Sequence, residues 1–322
     1  MKKTTSKHPQ HFTAMIVSVL LIAGCTTNQP APNQPQTTTT TIKDPIADLM
    51  PKPGPNAKFS LEQLPRIDGS TVTIPISEAV SAKLLDLPLE DARMLIKHNK
   101  THEAYVNLID GKTDVIFVTY ASDGELDYAK EKNVELEFIP IVKDAFVFFV
   151  NKENTVNGLT HEQIKDIYAG KITKWNQVGG ANTKITAYQR PENSGSQSGM
   201  LELVMQGTPM MNAPTENRIA AMEGIIDAVA AYANSMEAIG YSYYYFVNSM
   251  YYQEMIKLLA VNDIAVLNET IENNTYPFIT HYYAVLNKNN PNNQHAQAVI
   301  DYILSDEGQT LIEQIGYVKL GN

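Results

Sequence analysis

The 322-residue sequence is short of cysteine, tryptophan and basic residues, with one Cys, one Trp and 25 Lys and Arg against 35 Asp and Glu. A single cysteine excludes internal disulfide bonds, cysteine-rich zinc sites and CxxC redox chemistry. The net charge of −10 argues against nucleic acid or an anionic membrane as a partner. The chain also lacks a P-loop, a GxGxxG fingerprint and a GxSxG elbow, and its histidines have no metal-ligand spacing. No metal, cofactor or catalytic residue is therefore predicted.

Long hydrophobic runs are absent, although 43% of the residues are hydrophobic, which is enough for a sizeable core. The apolar run from Ala14 to Ala23 is too short to span a bilayer comfortably. It follows a lysine-rich start and ends at Gly24-Cys25, a pattern typical of a secretory signal peptide and similar to a bacterial lipobox. We predict a signal peptide over residues 1–24, lipidation of Cys25, and an exported protein anchored to a bacterial membrane with its folded domain facing the periplasm or the cell exterior.

A Thr-, Gln-, Asn- and Pro-rich segment follows, and residues 25–58 are predicted to form a flexible tether. Beyond it, buried strands are predicted over 114–119, 134–142, 145–150 and 276–286. Thr160 and Gln163 predict a capping box at a helix start, and Ser305 predicts a further helix N-cap. Strands that alternate with helices indicate an α/β fold with parallel sheets.

The most informative segment runs from Arg190 to Ser196, which we call the principal loop. Arg190 follows a predicted strand, and Ser194-Gly195-Ser196 opens a helix. Guanidinium, hydroxyl and helix-start N–H groups are all donors to an oxyanion, and Glu192 could brace the Arg190 side chain. The same residues also fit an ordinary capped helix beside a surface arginine.

Ser70, Thr71 and Val72, which we call the first loop, repeat this order of strand, hydroxyl-bearing turn and helix. Lys100-Thr101-His102 is a weaker third example. Two such loops in one chain favour a tetrahedral oxyanion held between two lobes. The tyrosines between Tyr241 and Tyr252 fit a core strand with surface rings, or a stacking platform for a sugar or base.

Several motifs together resemble the PstS-like phosphate-binding lipoproteins of bacterial phosphate ABC transporters, which are type II periplasmic binding proteins. The resemblance runs from about Ile67 to Leu320. Its motifs are Gly170-Lys171-Ile172-Thr173-Lys174-Trp175, Arg190 with Ser194-Gly195-Ser196, Ala238-Ile239-Gly240-Tyr241, Ser305-Asp306-Glu307-Gly308-Gln309 and Gly316-Tyr317.

The resemblance implies a two-lobed α/β fold in which two crossover strands join the lobes and the ligand cleft lies between them. One lobe would comprise 59–146 and 280–322, and the other 147–279. Inorganic phosphate would be the ligand, and the permease subunits of an ABC transporter would be the partner of a monomeric binding protein. The residues carried over as phosphate-binding are Ser70, Thr71, Val72, Thr101, Arg190, Ser194, Gly195 and Ser196, with Glu192 bracing Arg190 and with His102, Thr119 and Tyr120 as further cleft candidates.

Two departures from the family keep further functions open. The second loop usually contains Gly and Ser, whereas Lys100-Thr101-His102-Glu103 stands here. The family usually has an Asp after the strand equivalent to 114–119, but here Thr119 and Tyr120 follow. Because that carboxylate accepts the proton of phosphate, its absence leaves another oxyanion open. The residues also leave room for a sensor or adhesin-like lipoprotein, or for a phosphatase or esterase that uses the serine cluster.

Overall fold

The computed structural model describes residues 50–231, 233, 236–291 and 293–321. The predicted signal peptide, the lipidation site at Cys25 and the predicted tether up to residue 49 lie outside these residues. Packing begins before Phe59, where the folded part is predicted to start, because Gly54 N donates to Leu85 O at 2.9 Å and Lys58 N donates to Leu84 O at 2.8 Å. Within the described residues, no helix combines the length and the apolar character needed to cross a membrane.

The main sheet has seven strands, in the order β1-β2-β9-β3-β6-β5, with β7 also pairing with β3. A separate two-stranded sheet pairs β4 with β8. The strands are β1 (Ile67–Gly69), β2 (Val115–Val118), β3 (Leu136–Asn151), β4 (Gly158–Leu159), β5 (Thr186–Ala187), β6 (Ala238–Tyr243), β7 (Ile256–Leu258), β8 (Ala260–Val261) and β9 (Ile279–Asn287).

The sequence predicts parallel pairing, but the sheet is mixed. Parallel pairs join β1 to β2, β4 to β8 and β5 to β6. The sheet becomes mixed because β9 returns antiparallel between β2 and β3, and β3 runs antiparallel to both β6 and β7. Alternation along the chain indicates crossover units but does not reveal a late strand that inserts into the middle of the sheet.

The strands β3 and β9, which we call the crossing strands, hold the two halves of the sheet together. The prediction of separate strands over 134–142 and 145–150 is wrong, because β3 is one strand of 16 residues with an irregularity between Pro140 and Val142. Its residues 136–145 pair with β9, and Phe146 to Val150 pair with β6. Asp144 looks like a break in the sequence, but the structure buries it inside the strand with hydrogen-bond partners.

Helices cover the sheet, and local sequence signals set several of their ends. Thr160 Oγ1 accepts from Gln163 N at 3.1 Å, which confirms the predicted capping box, and Ser305 Oγ accepts from Gly308 N at 3.2 Å. The helices are α1 (Ile74–Leu85), α2 (Leu89–Arg93), α3 (Lys100–Ile109), α4 (Asp123–Glu131), α5 (His161–Tyr168), α6 (Gly195–Gly199), α7 (Met222–Ala230), α8 (Asn268–Glu272), α9 (Asn293–Leu304) and α10 (Asp306–Gln314).

Tyrosine and phenylalanine from β3 and β6 fill much of the core. Tyr241 is fully buried and its ring lies 5.5 Å from that of Phe146 and 5.4 Å from that of Tyr168. Tyr252 is 72% exposed. The tyrosine-rich segment is therefore a core strand followed by surface rings, the first of the two arrangements that its sequence fits.

Candidate functional site

The first loop leaves the sheet at the end of β1, and hydrogen bonds hold both of its ends. Ser70 N donates to Phe117 O of β2 at 2.9 Å, and Thr73 Oγ1 donates to the same carbonyl at 2.5 Å. Tyr317 Oη donates to Val72 O at 2.6 Å. Ser70 and Val72 are both buried, so the loop lies inside the protein rather than on its surface.

A buried carboxylate, Asp68, joins the first loop to the start of α3. Asp68 Oδ1 accepts from Gly69 N at 2.7 Å and from Asn99 N at 2.8 Å. Asp68 Oδ2 accepts from Asn99 Nδ2 at 2.8 Å and Asn107 Nδ2 at 2.9 Å. These bonds place Thr101, at the start of α3, near the first loop. Sequence analysis missed Asp68, although an acid inside the apolar lead Ile67-Asp68-Gly69 was a visible signal.

Thr101 and Thr119 approach the principal loop closely. A Cβ built on Gly195 would lie 2.6 Å from Thr101 Oγ1 and 2.8 Å from Thr119 Oγ1. Both threonines are buried, and Thr119 follows β2 directly. Because an alanine cannot be accommodated at such distances, glycine is the residue that allows α3 and the end of β2 to meet the principal loop.

Beside Thr101, His102 is held by a buried acid. His102 Nδ1 lies 3.2 Å from Glu125 Oε1, and the side chain of Glu125 is only 1% exposed. Burial raises the pKa of Glu125, whereas the Ser122 backbone N–H and His102 act in the opposite direction. Glu125 therefore fixes the orientation of a half-exposed imidazole at the edge of the site.

Arg190 is buried at the start of the principal loop. Its backbone N–H donates to Gln197 Oε1 at 3.1 Å and to Tyr241 Oη at 3.0 Å, and its Nη1 donates to Ile219 O at 3.1 Å. Burial lowers the pKa of Arg190, and Tyr241 and Glu223 oppose this shift. An arginine remains a cation even so, which makes this side chain a buried positive charge.

The structure does not bring Glu192 onto Arg190 as predicted. Glu192 is exposed, and among the described residues no ion pair or hydrogen bond joins the two side chains. The acid whose charge acts on Arg190 is Glu223 at the start of α7. The sequence contains no local signal for this partner, because Glu223 reaches the loop only through the fold.

A cavity of about 530 Å³ opens where these elements meet. Eleven of the predicted residues line it, together with residues that sequence analysis missed, such as Asn99, Glu223 and Tyr243. The predicted lining residues are Ser70, Thr71, Val72, Thr101, His102, Thr119, Arg190, Glu192, Ser194, Gly195 and Ser196. Tyr120 does not line it. Its ring stacks on that of Phe138, with the centroids 4.6 Å apart, and borders a neighbouring cavity instead.

Three polar atoms in this cavity lining are buried and have no hydrogen-bond partner within the part of the chain that the structure describes. They are Thr119 Oγ1, Arg190 Nε and Ser196 Oγ. Buried polar groups in proteins are nearly always paired, so three unpaired groups around one cavity indicate a ligand that supplies the missing acceptor. Hydroxyls and a guanidinium fit an oxyanion, and the described residues contain no group of side chains suited to a metal ion.

Residues 66–307 match the family model described as a PBP superfamily domain. The chain belongs to the PBP superfamily. The α/β fold class that the resemblance implies is thereby confirmed. The mixed sheet corrects only the parallel pairing that the alternation of strands and helices predicted.

The PBP superfamily chain is similar to proteins named phosphate-binding protein PstS. It is 25% identical over 273 residues to that of Borreliella burgdorferi, covering 80% of this chain and 91% of the relative. It is 27% identical over 261 residues to that of Staphylococcus epidermidis, covering 78% and 77%.

Solved structures share the fold. A structure from Clostridium perfringens, named "Putative Phosphate ABC Transporter Substrate-Binding Protein with Bound Phosphate", has a TM-score of 0.60 at 25% identity and covers 79% of this chain and 98% of its own. An ABC-type phosphate transport receptor from Vibrio cholerae has a TM-score of 0.59 at 21% identity and covers 78% and 98%.

Proposed function

We propose that this PBP superfamily protein binds inorganic phosphate in the 530 Å³ cavity and delivers it to the permease of an ABC transporter, without catalysis. The observation that carries the proposal is the set of unpaired buried atoms, Thr119 Oγ1, Arg190 Nε and Ser196 Oγ, around one cavity. The PstS relatives and the phosphate-bound structure support phosphate as the oxyanion.

Arg190 supplies the countercharge for the anion in this proposal. The hydroxyls of Ser70, Thr71, Thr101, Thr119, Ser194 and Ser196 and the backbone of Val72 and Gly195 supply the remaining donors. Every hydrogen bond to the anion is charge-assisted, but only the arginine also carries a full countercharge and can donate two bonds to one ion, so it makes the largest single contribution.

The cavity closes around the ion when two lobes approach each other, residues 59–146 with 280–322 forming one and residues 147–279 the other. This division is supported by the crossing strands, since β3 changes partner from β9 to β6 between Ala145 and Phe146. It is also supported by the close approach of Thr101 and Thr119 to Gly195. Hinge closure of this kind sequesters a ligand from water.

Titration calorimetry of Arg190→Ala with phosphate tests the proposal. Two lost charge-assisted hydrogen bonds of roughly 1.5–3 kcal/mol each should weaken binding by at least about 100-fold. Arg218→Ala is the matched control, because Arg218 does not line the cavity. Phosphate binding within about threefold of wild type in Arg190→Ala would show that the site is assigned wrongly.

A second candidate ligand is a fully ionised oxyanion such as sulfate. Thr119, not a carboxylate, follows β2, so no acid at that point accepts the proton of phosphate. Competition calorimetry with sulfate decides between the two. Phosphate selectivity of less than about tenfold would favour the broader oxyanion function.

The N-terminal sequence supports an exported lipoprotein attached through Cys25, with the folded part held outside the membrane, and the family resemblance supports a monomer. Cell fractionation and mass spectrometry of Cys25→Ala test this anchor. The variant should be released from the membrane and lack an acyl group, while its phosphate affinity remains that of wild type. Retention of the acyl group in the variant would contradict the anchor at this position.

A further inference from the structure

Two buried tyrosine hydroxyls, one of them from the cavity wall, hold the first loop and the principal loop. Tyr317 Oη donates to Val72 O of the first loop at 2.6 Å. Tyr243 Oη donates to Gly195 O of the principal loop at 2.7 Å. Both side chains are almost fully buried, and burial raises the pKa of both hydroxyls well above the usual value. They therefore stay protonated and act as donors.

A third tyrosine, Tyr282, lies between these two. Its ring centroid is 5.7 Å from that of Tyr243 and 6.1 Å from that of Tyr317, with the rings close to perpendicular in both pairs. Edge-to-face pairs at such distances are favourable and fix ring orientation. A displacement of Tyr282 is therefore transmitted to the residues that hold both loops.

Tyr282 is anchored in turn by Asp144, at the point where β3 changes partner. Tyr282 Oη donates to Asp144 Oδ2, and Asp144 Oδ1 accepts from Ala145 N at 2.8 Å and from Tyr245 N at 3.2 Å. The Tyr245 ring stacks on that of Tyr317 at 3.5 Å. Because Ala145, Tyr245 and Tyr282 all donate to its carboxyl group, Asp144 links β3, β9 and the end of β6.

We propose that Asp144, Tyr282, Tyr243 and Tyr317 form a positioning cluster that sets the first and principal loops against each other for anion binding. The cluster rests on the proposed function for its effect on affinity, and each of its hydrogen bonds joins one part of the protein to another. Tyr282 and Asp144 do not line the cavity. They are positioning residues that act through Tyr243 and Tyr317.

The test is Tyr282→Phe, which keeps the ring and removes only the hydroxyl. Tyr276→Phe is the matched control, because Tyr276 is equally buried and its hydroxyl donates to Phe146 O at 3.3 Å, away from both loops. Each variant loses one buried hydrogen bond, and the fall in Tm should be larger for Tyr282→Phe because its bond goes to a carboxyl group. Only Tyr282→Phe should weaken phosphate binding, by about three- to tenfold in calorimetry.

Amide hydrogen exchange without phosphate provides a readout that is independent of the ligand. In Tyr282→Phe, peptides that cover the first loop and the principal loop should both exchange faster than in Tyr276→Phe. Equal exchange of these peptides in the two variants would overturn the cluster. Absence of phosphate binding in the wild type would instead overturn the proposed function, and the exchange comparison would still decide on the cluster.

Discussion

Replacing Gly195 by alanine adds one methyl group at the point where α3 and the end of β2 approach the principal loop beside the cavity. The new Cβ would lie 2.6 Å from Thr101 Oγ1 and 2.8 Å from Thr119 Oγ1. Real Cβ atoms do not approach oxygens to such distances. Either the threonines move or the cavity opens. Gly195 is not among the glycines with a positive φ, so the backbone itself accepts alanine.

The magnitude follows from the cost of overpacking, which is typically about 1–3 kcal/mol. The new methyl group on Gly195 of α6 clashes with Thr101 of α3 and with Thr119 at the end of β2. Opening the cavity separates these elements and relieves the clash. The cost therefore falls on the closed, anion-bound state, and phosphate affinity should fall about 5- to 150-fold. The ligand-free protein can open and should lose less than about 1 kcal/mol of its free energy of unfolding. Because 1 kcal/mol shifts Tm by about 2–4 °C in a domain of roughly 150–250 residues, its Tm should stay within about 2 °C of wild type.

The assay pairs phosphate calorimetry with thermal unfolding in the absence of phosphate. Gly124→Ala is the matched control, because its Cβ would face Asn193 Oδ1 of the principal loop at 3.7 Å, an ordinary contact. That variant should bind like wild type. Wild-type affinity in Gly195→Ala would refute the closure of Thr101 and Thr119 onto Gly195 in the bound state. An equal loss of affinity in both variants would refute the steric reasoning.

Two buried carboxylates lead to further predictions. Burial raises the pKa of Asp144 from 3.8 to about 7, so the folded state binds its proton more tightly than the unfolded state. The free energy of unfolding should therefore fall as pH rises from about 4 to about 7, by at most about 4 kcal/mol. In Asp144→Asn, the dependence of Tm on pH should flatten over this range, and an unchanged slope would refute the assignment. Asp68→Asn places an amide donor against the Asn99 and Asn107 donors and should destabilise by about 1–3 kcal/mol in urea unfolding, while a neutral result would contradict the bonding described.

The sequence predicted those parts of the site that depend on neighbouring residues. Arg190 and Ser194-Gly195-Ser196 form a strand–loop–helix pattern within a few positions, and the capping box of Thr160 and Gln163 spans one turn. Such signals depend only on neighbouring residues, so they predict the same local structure whatever fold contains the segment. The cavity lining therefore contains nearly every residue predicted for it.

The remaining features depend on residues far apart in the chain. Asp144 interrupts an apolar run, and its bonds to Tyr282, 138 positions later, and to the backbone N–H of Tyr245 explain why β3 continues through it. Glu223, not Glu192, is the acid whose charge opposes the lowering of the Arg190 pKa by burial, and it reaches the cavity only because the fold brings α7 there. The direction of β9 likewise follows from tertiary packing, which local propensity does not contain.

The late position of β9 has a consequence for how the protein folds. Val115 pairs with Leu286, far along the chain, and β9 also supplies the partner of the first part of β3. One edge of β2 and the first part of β3 therefore lack a hydrogen-bonding partner until β9 has been synthesised. Pairings this distant in sequence slow folding, and an unpaired edge of β2 is open to association with other chains. A chain truncated before Ile279 would leave that edge permanently exposed. The first strands of the sheet therefore depend on β9, a strand that comes much later in the chain.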